Sequence, residues 1–85
     1  MKKYAIELSK KAQKDIQKLT PKLRSKLKDI LQNKISVDPY SGKPLWGNMK
    51  GFYSVRLTYQ DRVVYSIKEA EVIVYILRAK THYGD

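Results

Sequence analysis

The run Val72-Ile73-Val74-Tyr75-Ile76-Leu77 constrains the fold more tightly than any other segment of the chain. A strand turns alternate side chains to opposite faces, and this run is apolar at both parities. It predicts a strand over residues 71–78 that is covered on both sides and lies in the interior of a sheet. It falls well short of the ~20 apolar residues that a membrane-spanning helix needs, and no other stretch approaches that length.

The neighbours of that strand lie upstream. In residues 52–58, Tyr53, Val55 and Leu57 share one face and Ser54, Arg56 and Thr58 the other. In residues 62–68, Val63, Tyr65 and Ile67 share one face and Arg62, Val64 and Ser66 the other. The short connections at 59–61 and 69–70 make the three segments an antiparallel meander. Residues 2–8 alternate as well, with Tyr4, Ile6 and Leu8 on one face, and predict a further strand.

Between them the period changes. Ser9 offers an N-cap to a helix over 10–19, with Ala12, Ile16 and Leu19 on one stripe. Thr20-Pro21 ends that helix and starts a second over 21–35, where Leu23, Leu27, Ile30, Leu31 and Ile35 form the apolar face. Residues 37–51 are rich in turn formers and read as a long irregular connection, which is uncommon in a compact domain unless it has a role. Residues 79–85 read as a polar tail. The expectation is one α+β domain over residues 1–85: an N-terminal strand, a helical hairpin, then a three-stranded meander completing a four-stranded sheet.

Charge narrows the function. The 85 residues carry 18 Lys and Arg against 8 Asp and Glu, a net +10. That excess points to a polyanionic partner, nucleic acid first, with an acidic membrane surface or an acidic protein next. Ten of the 18 basic residues fall in the first 31 positions, mostly on the helices, where each contact with a phosphate adds affinity without sequence preference. Cysteine is absent, which excludes a disulfide framework, a thiol nucleophile and a thiolate zinc site. No apolar signal segment follows Lys2 and Lys3, so a cytoplasmic location is expected.

Strand parity separates Arg56 and Arg62 from the lysines. The apolar faces must meet the helices, which leaves both arginines on the opposite, open face; the face of Arg78 is not fixed, because its strand is apolar on both sides. Arginine presents a planar fork of donors that suits phosphate. Titratable groups are otherwise sparse: His82 is the single histidine, and no carboxylates have the spacing of a two-metal or paired-acid site. No cofactor or metal is expected. His82, Tyr83 and the arginines suffice for metal-free RNA cleavage, because RNA supplies its own nucleophile in the 2′-OH. Histidine can donate or accept a proton near neutrality, and tyrosine can stack on a base or hold the geometry.

The segments Gly42-Lys43-Pro44-Leu45, Gly51-Phe52-Tyr53-Ser54-Val55-Arg56-Leu57, Asp61-Arg62-Val63-Val64-Tyr65 and His82-Tyr83 together resemble the RelE/ParE superfamily of toxins, in its RelE/YoeB/Txe-like branch. The resemblance covers nearly the whole chain. It implies a RelE-like, microbial-ribonuclease-like fold and a type II toxin that cleaves mRNA in the ribosomal A site without a metal. It also implies partners: the ribosome and mRNA, and a cognate acidic antitoxin in a hetero-oligomeric complex, but no membrane.

Position by position, Arg62 matches the phosphate-stabilising arginine, His82 the acid/base residue and Tyr83 the terminal tyrosine beside it. Arg56 matches a basic sheet position that contacts the RNA backbone, and Ser54, Lys50, Arg78 and Lys80 are further candidate RNA contacts. The chain departs from the YoeB-like pattern at the general base. The glutamate of that branch falls at or near Lys43, and residues 37–51 contain none. Lys43 stands either as the base, in a neutral form that neighbouring arginines favour, or as a loop lysine contacting ribosomal RNA. Two other functions remain open at this point. One is a ParE-like gyrase poison on the same fold, which would not require the arginine face with His82 and Tyr83. The other is a basic RNA-binding module without activity.

Overall fold

A computed structural model describes residues 3–81 of the chain. The strands are β1 (Ala5–Leu8), β2 (Lys43–Pro44), β3 (Phe52–Arg56), β4 (Arg62–Lys68) and β5 (Ile73–Thr81); the helices are α1 (Lys10–Gln17) and α2 (Pro21–Ile30). The sheet has the order β1-β5-β4-β3-β2. As its two apolar faces require, β5 is interior, flanked by β1 in parallel and by β4 antiparallel. No helix among the described residues is long and apolar enough to cross a membrane.

The two helix starts follow their caps. Ser9 Oγ accepts from the Ala12 N–H at 2.9 Å, and its own hydroxyl donates to the Leu77 carbonyl at 2.7 Å, which ties α1 to β5. Thr20 Oγ1 accepts from the Leu23 N–H, and Pro21 occupies the first turn of α2. The second helix stops its α-helical pitch at Ile30 and finishes in a π-turn over Leu31–Ile35, which turns Ile35 fully into the core. Ala12, Leu19, Leu27 and Ile35 pack there against Val55, Leu57, Val63, Tyr65, Val74 and Ile76 from the sheet.

Three expectations are corrected. The sheet has five strands, not four: Lys43–Pro44 pairs antiparallel with β3, so residues 37–51 are not wholly irregular. A strand that short shows no alternation in sequence. Next, β5 continues to Thr81, so Lys80 lies in a strand rather than in a polar tail. Finally, β3 ends at Arg56 and α1 at Gln17, each two residues short of its predicted limit.

The join of β2 to the sheet depends on one glycine. The hydroxyl of the buried Tyr65 donates to the Pro39 carbonyl at 2.7 Å and passes so close to Gly42 that a Cβ there would overlap it. Burial pushes the Tyr65 hydroxyl far up in pKa, so it is a fixed donor. Tyr53 stacks on Tyr65 and meets Tyr40 edge-on, which packs the Pro39–Ser41 turn beside Lys43.

Candidate nucleic-acid interface

The sheet register brings the basic residues together. Residues directly opposite each other in an antiparallel pair share a face. Arg56 lies opposite Arg62, and Lys43 lies opposite Ser54, one row along the same face. Ser54 is in turn opposite Val64, and Arg62 is opposite Thr81. The pairing therefore collects Lys43, Ser54, Arg56 and Arg62 from three strands.

Two features of this face are unusual for a merely solvated surface. Like charges directly opposite each other in a sheet are destabilising, yet neither Arg56 nor Arg62 has an acidic partner among the described residues. An anion bridging the two guanidiniums would reverse that repulsion. The middle of the face is also less open than parity implied. Ser54 and Val64 are buried, while Lys43 and Arg56 are exposed and Arg62 is half-buried. The Ser54 hydroxyl has no hydrogen-bond partner among the described residues. A buried orphan of this kind is one that a ligand oxygen or an ordered water normally satisfies.

The β4–β5 register also shifts twice, between Arg62 and Val64 and between Val64 and Tyr65. Such bulges bend the strand and re-aim side chains, and they concentrate beside functional sites. The bulged end of the sheet is the end that carries Arg62.

Other predicted site residues lie elsewhere or beyond reach. His82 and Tyr83 lie outside the described residues. Lys50 is exposed and follows the Gly47–Met49 turn. Lys80 is half-buried, and its backbone N–H points at Asp15. Arg78 does not join the basic face as an open guanidinium. Its Nε and Nη2 donate to the two carboxylate oxygens of Asp15 at 2.8 and 3.0 Å.

No role for Asp15 follows from the composition or the motifs of the chain. It is buried and also accepts from the Ala79 and Lys80 N–H groups. Burial acts to raise its pKa; the Arg78 hydrogen bond and the backbone donors outweigh that and hold the carboxyl below the usual carboxylate range. A signal existed: position 15 falls three after Ala12 and four before Leu19, on the buried stripe of α1. Among the described residues, no group of three or more His, Cys, Asp or Glu stands together to hold a metal.

Across the sheet from the basic face, β1 and the helices frame an apolar groove of about 360 Å³, lined by Ile6, Leu8, Ile16, Leu27 and Leu31. Arg24 and Lys28 stand at its side.

The described residues thus form a five-stranded sheet with a helical hairpin against one face and Arg56 and Arg62 on the other. The chain superposes on the toxin–antitoxin complex RelBE2 from Mycobacterium tuberculosis with a TM-score of 0.84 and 28% identity, over 92% of this chain and 96% of that one. It is similar to the YoeB dimer from Staphylococcus aureus with a TM-score of 0.74 and 26% identity, over 95% and 99%. The YoeB/ParE toxin from Agrobacterium tumefaciens shares the fold, with a TM-score of 0.83 at 23% identity over 93% and 99%. No curated protein matches the sequence significantly. Residues 6–83 match the model of the YoeB-like toxins of bacterial type II toxin–antitoxin systems, and the chain belongs to that family.

Proposed function

We propose that this toxin is a metal-independent, ribosome-dependent mRNA endonuclease. The observation that carries the reading is the cross-strand pair Arg56–Arg62, two arginines in register on adjacent strands without an acidic partner among the described residues. A scissile phosphate seated there would receive forked donors from two strands, and those donors would stabilise the charge that builds on it during cleavage.

The rest of the chemistry is proton movement. A base removes the proton of the 2′-OH, the oxygen attacks the adjacent phosphorus, and the P–O5′ bond breaks. The leaving 5′ oxygen takes a proton, and a cyclic phosphate remains on the upstream fragment. Lys43, opposite Ser54 in the row beside the arginines, is assigned either the base or a contact to the RNA strand. His82 directly follows Thr81, the residue that pairs with Arg62, and is assigned the proton donor, with Tyr83 beside it to orient base or phosphate. Ser54 and Lys50 are assigned backbone contacts.

The partners follow from the same reading. An acidic antitoxin would silence the toxin in a hetero-oligomer; similar structures include a YoeB–YefM complex from Staphylococcus aureus. The apolar groove flanked by Arg24 and Lys28 suits an amphipathic acidic helix of such an antitoxin. The action is assigned to the cytoplasm, where ribosomes translate.

Expression without an antitoxin should arrest growth and leave mRNAs cut within codons. Growth arrest with intact mRNA and an induced DNA-damage response would replace this reading by gyrase poisoning. Salt-sensitive RNA binding with no toxicity would replace it by a passive binding module.

A further inference from the structure

We propose that Phe52 and Tyr75 form a platform on which unpaired bases of the mRNA strand stack, on the same face of the sheet as Arg56 and Arg62. The proposal rests on the RNA-cleavage reading above.

The register fixes the face. Phe52 lies opposite Ser66, and Ser66 lies opposite Tyr75, so the three form one row across β3, β4 and β5. The β3–β4 ladder runs without a break from that row to the Arg56–Arg62 pair. Phe52 and Arg56 are four residues apart on β3, as are Ser66 and Arg62 on β4, and even spacing keeps them on one face. The register shifts of the β4–β5 ladder lie between Arg62 and Tyr65, so the pairing of Ser66 with Tyr75 is regular. Burial agrees with the register. Their chain neighbours Tyr53, Val74 and Ile76 belong to the core beneath the helices, whereas Phe52 and Tyr75 stand outside it and are half-buried.

An aromatic residue on an open sheet face is often no more than a good strand former. This row has further properties. Both helices pack against the opposite face. Ser66 contributes little bulk between the two aromatic residues. Their strands are two spacings apart, ~10 Å, so the rings would take separate bases rather than grip one base between them. The Lys68 ammonium stands 5.3 Å from the centroid of the Tyr75 ring, and Lys68 is exposed. A cation over an exposed ring is held weakly. A base that displaced it would leave the ammonium beside the phosphates of the strand.

The row lies ~13 Å from the arginine pair, four residues at ~3.3 Å each. A strand whose phosphate sits between Arg56 and Arg62 would reach it within a few nucleotides. Aromatic side chains on an open sheet are a recurring way to hold single-stranded RNA. The stacking tolerates any base, because every base offers a π-face. Bases anchored there would set how far the strand is drawn along the sheet, and so which phosphate reaches the arginines.

The test uses ribosomes programmed with an mRNA whose A-site codon carries 2′-O-methyl groups, which block the nucleophile and prevent cutting. A second mRNA has abasic sites in and beside that codon. The toxin should bind the base-bearing complex about tenfold more tightly than the abasic one. Phe52→Leu and Tyr75→Leu keep apolar bulk but remove the ring. Each should weaken binding to the base-bearing complex about tenfold and leave binding to the abasic complex unchanged. Phe52→Tyr and Tyr75→Phe keep a ring and should bind as the parent does. On unmodified mRNA, both leucine variants should shift the positions that are cut.

Equal weakening on both complexes would overturn the platform, since the rings would then serve the fold or touch ribosomal RNA; a denaturant melt tells these apart. No weakening on either complex would overturn it as well, and both results leave the RNA-cleavage reading intact. If the parent toxin bound neither complex, both readings would fall. Lost affinity for the antitoxin with unchanged binding to programmed ribosomes would assign the row to the antitoxin instead.

Discussion

Arg78 and the Arg56–Arg62 pair come from the same sheet and the same residue type, but the fold treats them in opposite ways. Arg78 is met by a buried carboxylate at two-point geometry, and the same carboxylate binds two backbone N–H groups of β5. Arg56 and Arg62 are set against each other with no such acid among the described residues. One arrangement has its counter-ion built in; the other has repulsion that a bound anion would relieve. Positive charge left uncompensated where the backbone register fixes it is more informative about function than the total charge of the chain.

The largest expected effect lies on the uncompensated side. Arg62→Ala should lower the rate of mRNA cleavage by about 10²- to 10³-fold, the range for removing one donor to developing charge. Its stability should hold or rise by a few tenths of a kcal/mol, because a like-charge cross-strand contact disappears. Cleavage assays with a denaturant melt on the same sample test both halves. A loss of stability matching the loss of activity would show that Arg62 serves the fold, as Arg78 does.

Asp15→Ala should do the reverse. It leaves the Ala79 and Lys80 N–H groups without their acceptor and strands the Arg78 guanidinium, at a cost of about 2–3 kcal/mol. Arg78 is 37% exposed on its side chain, so water recovers part of its hydration and the larger penalty of a fully buried unpaired charge does not apply. The variant should melt earlier in urea, while its folded fraction at low temperature cleaves at the normal rate. A folded, stable, inactive variant would move this ion pair into the RNA site.

That contrast also marks what was legible in the sequence. The apolar run at 72–77 disclosed the interior strand, and parity disclosed that Arg56 and Arg62 share a face, because both are local periodicities. The register that sets them opposite each other is a tertiary fact, fixed by the closure of the β3–β4 turn at Leu57 and Asp61. Lys43–Pro44 escaped because a paired segment so short carries no period. The partner of Arg78 escaped because it lies far away in sequence on α1. The general base has the weakest sequence support, since Lys43 stands where the family resemblance leads one to look for a carboxylate.

A smaller effect follows from pH. The Asp15 carboxyl holds its proton less tightly in the folded chain than a free aspartate does at its ordinary pKa of 3.8. Its contribution to stability is therefore complete above that value and is lost as pH falls through the lower, folded value. Below about pH 4 the wild-type chain should lose stability more steeply than Asp15→Asn, which has no proton to take up. Parallel acid limbs for the two chains would show that Arg78 and the backbone donors do not hold the carboxylate as the geometry indicates.

The helix lysines should give the smallest effect per residue, and they form a third class beside the two kinds of arginine. Lys22, Lys26 and Lys28 are exposed on α2. Among the described residues, neither a carboxylate nor a like charge across a ladder fixes them in place. If they only add attraction to ribosomal RNA, each phosphate contact removed lowers the slope of log affinity against log salt by about one, without altering the chemical step. Lys22→Ala with Lys26→Ala should therefore weaken ribosome binding modestly at low salt and leave single-turnover cleavage at saturation unchanged. Arg62→Ala predicts the opposite split, with the cleavage step falling far more than binding. If the lysine pair slowed cleavage at saturation as well, charge on the helices would reach the reacting phosphate. The division of this basic surface into a steering part and a chemical part would then fail.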